Sequence, residues 1–551
     1  MPVISFEYQD LLDLLGRDIN MEGLLEKIPM MGADLHSHDM DTGEMAIEFF
    51  PDRPDLFSVE GIARALRTFL DIDSGLRRYQ VGDSGITLHR EDSVEGVRPF
   101  VVGGVMKEMV MTDELIRSLM ELQEKIHLTM GRKRAKVSIG IHDMDKVEPP
   151  FTYRAVPPEE VSFVPLGKEE EMDLGEILER HEKGREYAFI LDGKDRYPLI
   201  QDRHGQVLSF PPIINGRLTT VTEETTDLFI DVTGTDYKAI DGALNIVATS
   251  IAERGPRIES ILIKGREERR TPDLEPRQWE LDPEFCRSFL GLDIGDEEVG
   301  ECLGRMGYDH SVRNGVFHVL APATRMDLLH QVDLAEDVAI GHGYENLGSR
   351  LPKAQTYGCI LPLERASDLL KQLMVGYGYL EVQTLMLSNP WDQFGRMGLP
   401  ERDCVEVGNP IGEDYTCIRV NLLPSLMNVL AKNKHRDLPQ RIFEVGDVIE
   451  GRNRRRHFAG VVVHSKANFT EMKSLVKSVM RDLSLQHSLE PLESGIYIHG
   501  RGASVFCGDQ EVGHFGEMRP SLIVDYELSH PIACFELDME SMLSKRMQSI
   551  I

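Results

Sequence analysis

The pattern of apolar residues changes several times along the chain and shows no internal repeat, which excludes a repeat architecture and indicates several different domains. Short β-rich runs alternate with two helical segments, around 112–130 and 237–254, between residues 80 and 270. From residue 271 two short helices, a strand pair and a further helix beginning near Asp333 are predicted. Beyond residue 355 the pattern predicts a large antiparallel sheet with packed helices. We therefore expect a multidomain α+β protein, and 551 residues suffice for about three to five domains.

The first 75 residues predict a small α/β unit. Leu11, Leu12 and Leu15 recur as on one face of a helix, and the strand-like run MAIEFF is followed by the turn PDRPD. The next segment, SVEGIARALRTFL, predicts a helix with Ser58 as its N-cap.

Composition narrows the class of protein. Lys plus Arg is 61 against 92 for Asp plus Glu, so the net charge of −31 repels polyphosphates unless a local basic patch or a partner supplies the contact. No apolar run reaches the roughly 18 residues of a membrane span, and the N-terminus lacks a signal-peptide pattern, so we expect a soluble, unexported protein. The cysteines are odd in number and contain no CxxC pair, which predicts core residues in a reducing compartment. They are Cys286, Cys302, Cys359, Cys404, Cys417, Cys507 and Cys534.

The segment DLHSHDMD resembles a metal-binding pair, because His36 and His38 would point to the same side of a strand. A metal-dependent hydrolase barrel would begin this way. Such a barrel also needs repeated strand and helix units with ligands at later strand ends, and the following residues do not show that rhythm. The alternative is a polar turn before MAIEFF.

Two further segments could be taken for phosphate contacts. GYGY at 376–379 follows a helix and precedes a strand, the reverse of a phosphate-binding glycine loop, so it predicts a helix C-cap. GRNRRRH at 451–457 lies between two strand-like runs and predicts a hairpin tip. It is either a solvated loop or a contact for phosphate or an acidic subunit.

The segment RMDLLHQVDLAEDVAI carries the strongest chemical pattern. Asp333, Glu336 and Asp337 stand at i, i+3 and i+4 and share one helical face, while Asp327 could fold back from the preceding loop. Hard oxygen donors without His or Cys suit Mg²⁺ rather than zinc. The alternative is a solvated helix N-terminus, where acids interact favourably with the helix dipole.

Several phrases resemble, in order, those of phenylalanyl-tRNA synthetase β subunits. PDRPDLFSVEGIARAL resembles the N-terminal signature. KVSIGIHDMDK, PPFTYRAVPPEEVSFVPL and YPLIQDRHGQVLSFPPIINGR are similar to the B3/B4 module, where the family hydrolyses mischarged tyrosyl-tRNA. TPDL, LGRMGY and RMDLLHQVDLAEDVAIGHGYENL resemble the B5 module. NPIGEDYTCIRVNLLPSLMNVLAKNKHRDLPQRIFEVGDVIE and GHFGEMRPSLIVDYEL resemble the class II synthetase-like B6 and B7 region.

The resemblance implies four domains: a B1-like domain at 1–78, a B3/B4 editing-like domain at 79–268, a winged-helix-like B5 domain at 269–352, and a non-catalytic class II synthetase-like core at 353–551. The variant is archaeal or eukaryotic in type, because there is no room for an inserted oligonucleotide-binding domain and no ferredoxin-like module before Ile551.

The resemblance also implies function: a cytoplasmic subunit that acts with an α subunit in an α₂β₂ tetramer to attach phenylalanine to tRNA(Phe). ATP and phenylalanine should bind to α, because ELDMESMLSKR lacks the glycine-rich turn before its arginine and RIFEVGD is only loosely similar to the first class II arginine motif. The family's Mg²⁺ ligands fall on Asp327, Asp333, Glu336 and Asp337, the acidic constellation described above.

Editing of tyrosyl-tRNA(Phe) is the second activity that the resemblance implies. Its pocket should lie in B3/B4, with Ser209, Asn215, Asp231 and Thr233 as candidates. The required chemistry is a buried polar group that accepts the tyrosine hydroxyl, since an apolar site separates tyrosine and phenylalanine poorly. The alternatives are a stand-alone metal-dependent hydrolase and a structural scaffold subunit without editing activity.

Overall fold

The computed structural model describes residues 2–39, 42–349, 351 and 356–543, and it divides the chain into two compact units, residues 1–350 and 351–551. Unit 1 contains three successive regions, each built on its own sheet, and unit 2 is built on one large sheet. The chain is therefore multidomain α+β, as predicted, and its two largest sheets also contain parallel pairings. Within the described ranges, no helix is both long and apolar enough to cross a membrane.

The first region is a three-stranded antiparallel sheet of order β1, β3, β2 with three helices. Its elements are β1 (Val3–Glu7), α1 (Tyr8–Leu15), α2 (Met21–Lys27), β2 (Ala33–His38), β3 (Glu44–Phe49) and α3 (Val59–Phe69). Helix α3 buries Ile62 and Leu66, and the Ser58 hydroxyl accepts a hydrogen bond from the Gly61 amide at 3.2 Å. The predicted N-cap is confirmed.

The second region is a ten-stranded mixed sheet with a two-stranded ribbon beside it. The path of the sheet runs β12, β11, β10, β7, β4, β14, β5, β13, β6, and β15 pairs with β14. Its strands are β4 (Val81–Arg90), β5 (Phe100–Lys107), β6 (Val137–Asp143), β7 (Phe151–Val156), β10 (Tyr197–Gln201), β11 (Val207–Phe210), β12 (Ile214–Asn215), β13 (Leu228–Gly234), β14 (Arg257–Lys264) and β15 (Glu268–Thr271), and the ribbon is β8 (Ser162–Phe163) and β9 (Met172–Asp173). The helices are α4 (Asp113–Leu128), α5 (Leu174–Arg180), α6 (Glu182–Tyr187) and α7 (Tyr237–Ala252). Helices α4 and α7 confirm the two predicted helical segments.

Strand β13 lies in the interior of this sheet, between β5 and β6. Every residue of LFIDVTG is buried, and α7 is buried from Ala239 to Ile251 apart from Asp241. An apolar strand covered on its faces is typical of a sheet interior. Polar side chains on β13 are therefore enclosed in the core, which places Asp231 and Thr233 away from water.

The third region confirms the two short helices, the strand pair and the further helix. Its elements are β16 (Arg277–Leu281), α8 (Pro283–Leu290), α9 (Asp296–Arg305), β17 (Asp309–Arg313), β18 (Val316–Ala321) and α10 (Gln331–His342). Strand β16 was not predicted, and it joins the pair in an antiparallel sheet of order β16, β18, β17. Helix α10 begins two residues before Asp333, with His330 as its N-cap.

Unit 2 confirms the predicted large sheet, which is antiparallel except where edge strand β19 pairs with β22. Its order is β19, β22, β23, β27, β26, β25, β24. The elements are α11 (Pro362–Gly376), β19 (Leu380–Glu381), β20 (Leu387–Ser388), β21 (Cys417–Ile418), α12 (Leu423–Lys432), β22 (Gln440–Glu450), β23 (Asn453–Val463), α13 (Phe469–Asp482), β24 (Ser488–Pro491), β25 (Tyr497–Cys507), β26 (Gln510–Met518), α14 (Pro520–Asp525), β27 (Ile532–Asp538) and α15 (Met539–Leu543). The arginine of ELDMESMLSKR, Arg546, lies outside the described residues.

Two sequence interpretations are settled in unit 2. Helix α11 ends at Gly376, and Gly378 has a φ of +81°, so GYGY is a helix terminus as predicted. GRNRRRH does form a hairpin, but three of its arginines lie on β23 in ion pairs that tie the strand to carboxylates of the same unit. The pairs are Arg454 with Asp447 at 2.6 Å, Arg455 with Glu540 at 3.6 Å, and Arg456 with Glu364 at 3.0 Å. Each of these three arginines therefore has a carboxylate partner within unit 2.

Candidate functional site

A cavity of about 350 Å³ lies in the second region of unit 1, bordered by α4, β6, β13 and the segment from β11 to Val221. Three of the four predicted editing residues line it: Ser209, Asn215 and Asp231. Most of the remaining wall is apolar, including Met111, Ile116, Leu119, Met120, Ile139 and Ile141. The cavity thus combines an apolar wall with a few polar groups, as small-molecule sites commonly do.

Asp231 is held by a buried histidine. Its Oδ2 lies 2.7 Å from Nε2 of His142, and Nδ1 of the same ring lies 2.8 Å from the Thr219 hydroxyl. His142 and Asp231 are almost completely buried. Gly140 on β6 leaves room for the pair, because a Cβ there would overlap Asp231 Oδ2 and lie 2.7 Å from His142 Nε2. The carboxylate is therefore fixed in orientation at the cavity wall.

Ser209 supplies an unused hydroxyl. Its side chain is 2% exposed, and its Oγ has no hydrogen-bond partner among the described residues. A buried polar atom left without a partner costs about 1–3 kcal/mol, so a ligand that hydrogen-bonds to it gains affinity and selectivity. Asn215 lies opposite Ser209 across the β11–β12 pairing and donates its amide to the Ile141 carbonyl at 3.3 Å. The cavity therefore offers hydrogen-bonding side chains as well as an apolar wall.

Arg134 and Glu124 form a second polar wall. The Arg134 guanidinium donates to Glu124 at 2.6 Å and to the Ile213 carbonyl at 2.9 Å. The nearby His127 ring, with Nδ1 at 3.6 Å, and the charge of Arg134 lower the pKa of Glu124 to about 2, and burial lowers the pKa of His127 to about 4. Glu124 is therefore ionised and His127 neutral at physiological pH.

Thr233, the fourth predicted editing residue, is not among the residues that line the cavity. Its hydroxyl accepts a hydrogen bond from Arg98 Nε at 2.8 Å, and its carbonyl accepts one from Arg98 Nη2 at 2.7 Å. Arg98 is buried, and burial lowers its pKa to about 10. Thr233 therefore satisfies a buried arginine beside the cavity.

The acidic constellation lies in the third region, on α10 and the loop before it. Asp337 is buried, unlike a residue of the solvated helix N-terminus that was the alternative interpretation, and accepts hydrogen bonds from the Tyr308 hydroxyl and from Arg325 at 2.7 Å. Arg325 also binds both oxygens of Asp327, at 2.9 and 2.6 Å. One buried guanidinium thus bridges the two outer acids of the cluster.

Asp333 and Glu336 have different surroundings. Asp333 accepts from the amides of Leu329 and His330 at 2.6 and 2.7 Å, which is a capping role. Partial burial raises the pKa of Glu336, and the nearby carboxylates Asp337, Asp52, Asp333 and Asp327 raise it further. Asp52 comes from the turn PDRPD of the first region, so a fifth acid joins the four that were predicted.

The fit of this cluster to Mg²⁺ is partial. The donors are hard oxygens, and the raised pKa of Glu336 reflects an excess of negative charge that a cation would relieve. Arg325, however, already forms ion pairs with Asp327 and Asp337 and offsets one of their two negative charges. No group of three or more His, Cys, Asp or Glu residues is arranged to hold a metal ion in residues 2–39, 42–349, 351 and 356–543. The magnesium site stays a prediction.

The pair His36 and His38 lies on exposed strand β2, where the pairing with β3 is irregular between Leu35 and Ser37. A register shift at this point interrupts the alternation that would place both rings on the same side. The described part of the chain offers no third ligand to the pair, so the metal-hydrolase interpretation has no support in this geometry.

Sequence reasoning missed five contributors to the cavity: Gly140, His142, Thr219, Arg134 and Glu124. A signal for two of them exists in the strand VSIGIHD, where Val137, Ile139 and Ile141 alternate with Ser138, Gly140 and His142. The alternation places the histidine and the glycine on one face of β6. Which strand lies opposite that face follows from long-range pairing with β13, and the local pattern does not contain it.

Three family models match the chain in succession. Residues 106–255 match the B3/4 domain, residues 279–344 match the tRNA synthetase B5 domain, and residues 347–539 match the CLM domain of the phenylalanyl-tRNA synthetase beta chain. Together these ranges include the cavity, the acidic cluster and the large sheet of unit 2.

Known relatives match almost end to end. The chain is 44% identical to the phenylalanine–tRNA ligase beta subunits of Methanothrix thermoacetophila and Archaeoglobus fulgidus, covering 98% of this chain in both cases and 100% and 98% of those proteins. It is 39% identical to that of Methanocaldococcus jannaschii, over 98% of this chain and 100% of the relative. An N-terminal fragment of the phenylalanyl-tRNA synthetase beta subunit from Pyrococcus horikoshii superposes with a TM-score of 0.60 at 38% identity, covering 62% of this chain and 99% of the fragment.

Proposed function

Because this chain belongs to the family of phenylalanine–tRNA ligase β subunits, we propose that it works with a separate α subunit in the ATP-dependent attachment of phenylalanine to tRNA(Phe). ATP and phenylalanine bind to α, and the complex is an α₂β₂ tetramer in the cytoplasm. The absence of a glycine-rich turn before the arginine of ELDMESMLSKR supports this division of labour.

The domain plan that we propose is B1-like at 1–78, B3/B4 at 79–268, B5 at 269–352 and class II synthetase-like at 353–551. Three helices with a three-stranded antiparallel sheet support a winged-helix-like B5 domain. A seven-stranded, mainly antiparallel sheet with packed helices supports the class II assignment of the last domain.

The cavity of the B3/B4 region is the proposed site where tyrosyl-tRNA(Phe) is hydrolysed. The observation that carries this proposal is the unpartnered, buried Ser209 hydroxyl in a mostly apolar cavity that also holds Asp231 against His142. Ser209, with Asn215 beside it, recognises the tyrosine hydroxyl. Asp231 accepts a proton from the water that attacks the ester carbonyl, and it returns that proton to the ribose oxygen as the ester bond breaks and the amino acid is released. Thr233 acts indirectly, by holding Arg98 next to the site.

The test uses the complex obtained by co-purifying the chain with its α subunit. Asp231→Ala should leave phenylalanine charging near normal and reduce deacylation of tyrosyl-tRNA(Phe) by about 100-fold, the usual contribution of a positioned base. Asp227→Ala removes a carboxylate just before β13 that pairs with Lys107 at 2.6 Å, so it is a matched control and should keep both activities. A wild-type complex that charges tRNA but leaves tyrosyl-tRNA(Phe) intact would instead identify the chain as a scaffold subunit without editing activity.

The acidic cluster of Asp327, Asp333, Glu336 and Asp337 is the proposed Mg²⁺ site. Asp333 and Glu336 are the residues with oxygens available to the ion, while Arg325 holds Asp327 and Asp337 in place. When bound, the ion supplies positive charge at an acidic surface that would otherwise repel an acidic partner. This supports a structural role in the contact with α.

Replacing Asp333 by Asn and Glu336 by Gln together tests the metal site. The double variant should bind less Mg²⁺ and assemble less well with α, as followed by metal analysis and sedimentation. Glu297→Gln with Glu301→Gln changes the charge equally on exposed positions of α9 and should assemble normally. If the Asp333 and Glu336 double variant keeps wild-type metal content and assembly, the cluster is an acid-rich helix terminus and not a metal site.

A further inference from the structure

The turn between α4 and β6 has an unusual backbone. Arg132, Lys133 and Arg134 are three consecutive residues with positive φ, at +48°, +53° and +66°. Side chains other than glycine and asparagine enter this region at a cost of about 1–2 kcal/mol per residue. Backbone strain of this kind persists where the surroundings enforce it, often at ligand clamps. The sequence nevertheless places three cations here.

The surroundings of Arg134 explain how the strained turn is held. Its guanidinium is buried, bonded to Glu124 and to the Ile213 carbonyl, and stacked 4.4 Å from the centre of the Tyr187 ring. Arg98 Nη1 donates to the carbonyl of Ala135 at 3.1 Å. Gly131 is packed too closely for any side chain, since a Cβ would lie 2.7 Å from the His127 carbonyl oxygen. The turn is thus anchored by contacts on its cavity side.

Arg132 and Lys133 differ from Arg134 in exposure and in partners. Both are exposed, and neither makes an ion pair or side-chain hydrogen bond with any residue in the described ranges. Arg134, next in sequence, lines the cavity, and the two free cations are carried by the same turn as Arg134. The chain has a net charge of −31, and most of its arginines form ion pairs with carboxylates. Two neighbouring cations without such partners attract anions locally.

We propose that Arg132 and Lys133 bind the backbone phosphates of the tRNA acceptor end while its 3′-terminal aminoacyl ester enters the cavity. This rests on the proposed editing function. When the 3′-terminal ester lies in the cavity, the adjacent phosphates of the nucleic acid lie outside it at its rim. There they can bind the two cations that have no ion-pair partner on the anchored turn. The contacts involve only the phosphodiester backbone, so they position the substrate and carry no selectivity between tyrosine and phenylalanine.

The experiment compares two substrates of the co-purified complex: tyrosyl-tRNA(Phe), and 3′-O-tyrosyl-adenosine, which has no phosphate. Arg132→Gln with Lys133→Gln should lower kcat/KM for the tRNA about fivefold through KM, the effect of two exposed ion pairs. The slope of log kcat/KM against log salt should become shallower by about 1.4, since each phosphate contact on a single strand contributes about 0.7. Hydrolysis of the tyrosyl-adenosine should not change. Arg132→Lys with Lys133→Arg keeps both charges and should restore the wild-type values.

The matched control is Arg17→Gln with Arg313→Gln, which removes two exposed cations that do not line the cavity and make no ion pair with described residues. An equal loss in the control, or an equal loss on tyrosyl-adenosine, would overturn the proposal. If the wild type hydrolyses both substrates and the first variant is unimpaired, only this inference fails. If the wild type hydrolyses neither, the proposed editing function fails and this inference fails with it.

Discussion

Gly140 is the residue on which the geometry of the cavity depends most sharply. It lies on β6 directly opposite Asp231, and a methyl group there would overlap the carboxylate and approach His142 Nε2 to 2.7 Å. Neither neighbour can swing into solvent, since His142 is completely buried and Asp231 is 1% exposed. Gly140→Ala must therefore separate Asp231 from His142.

The size of the effect follows from that burial. Leaving a buried hydrogen-bonding group without its partner typically costs about 1–3 kcal/mol, and inserting a methyl group into a packed core adds about 1–3 kcal/mol. The cost given for inserting the methyl group is an upper limit, because displacing the Asp231 carboxylate also removes its overlap with that group. We expect a loss of about 3 kcal/mol in the free energy of unfolding of unit 1. Deacylation of tyrosyl-tRNA(Phe) should fall even at temperatures where the variant is folded.

Chemical denaturation and single-turnover deacylation measure the two effects. Gly96→Ala is the matched control, because a Cβ at exposed Gly96 meets nothing within 4 Å, and this variant should behave as wild type. Asp231→Asn within the Gly140→Ala background should recover part of the stability, since the displaced group no longer carries a charge, but no deacylation. Wild-type stability together with wild-type deacylation in Gly140→Ala would refute the proposed role of the buried pair.

Partial burial and neighbouring acids raise the pKa of Glu336 in the folded chain, so its ionisation above the unfolded-state pKa opposes folding. Glu336→Gln should therefore raise the melting temperature at pH 7 in chelator, have no effect on it at pH 3, and reduce the stabilisation by added Mg²⁺. A lower melting temperature of this variant at pH 7 would contradict the argument. The isolated chain should form no phenylalanyl-adenylate, and phenylalanine-dependent pyrophosphate exchange by the chain free of α would refute this. The chain alone should bind tRNA weakly because its net charge is −31, and adding α should strengthen binding with a steep salt dependence; tight binding by the chain alone at physiological salt would contradict this.

Local patterns predicted most of the fold. Helices α3, α4, α7 and α10 are amphipathic or apolar runs with recognisable caps, and the strand-rich character of unit 2 follows from its alternating segments. Strand β16 was missed because RQWEL is only five residues long. Its polar residues alternate and it is half-exposed, but so short a run does not predict a strand by itself. Sheet order could not be derived from the sequence, because pairings such as β14 with β4 join residues more than 150 positions apart.

The candidate site was predicted where its chemistry lies within one segment and missed where it depends on distant partners. Spacing placed Asp333 and Glu336 together on α10, but Arg325 reaches Asp337 from the loop and Asp52 arrives from the first region. Side chains such as these are brought together by tertiary packing, which a linear pattern does not encode. Asp231 and Thr233 share one face of β13, yet only Asp231 reaches the cavity, because Arg98 occupies the space beside Thr233.

The most direct test of the account is the selectivity of deacylation by the co-purified complex. The ratio of kcat/KM for tyrosyl-tRNA(Phe) to that for phenylalanyl-tRNA(Phe) should be at least about 100 in the wild type, because a buried hydroxyl without a partner favours the amino acid that can hydrogen-bond to it. Ser209→Ala removes that hydroxyl from the cavity and should reduce the ratio by at least tenfold, mainly by slowing the tyrosyl substrate, while charging stays unchanged. A wild-type ratio near 1, or a ratio that Ser209→Ala leaves unaltered, would contradict the central claim that this cavity distinguishes tyrosine from phenylalanine.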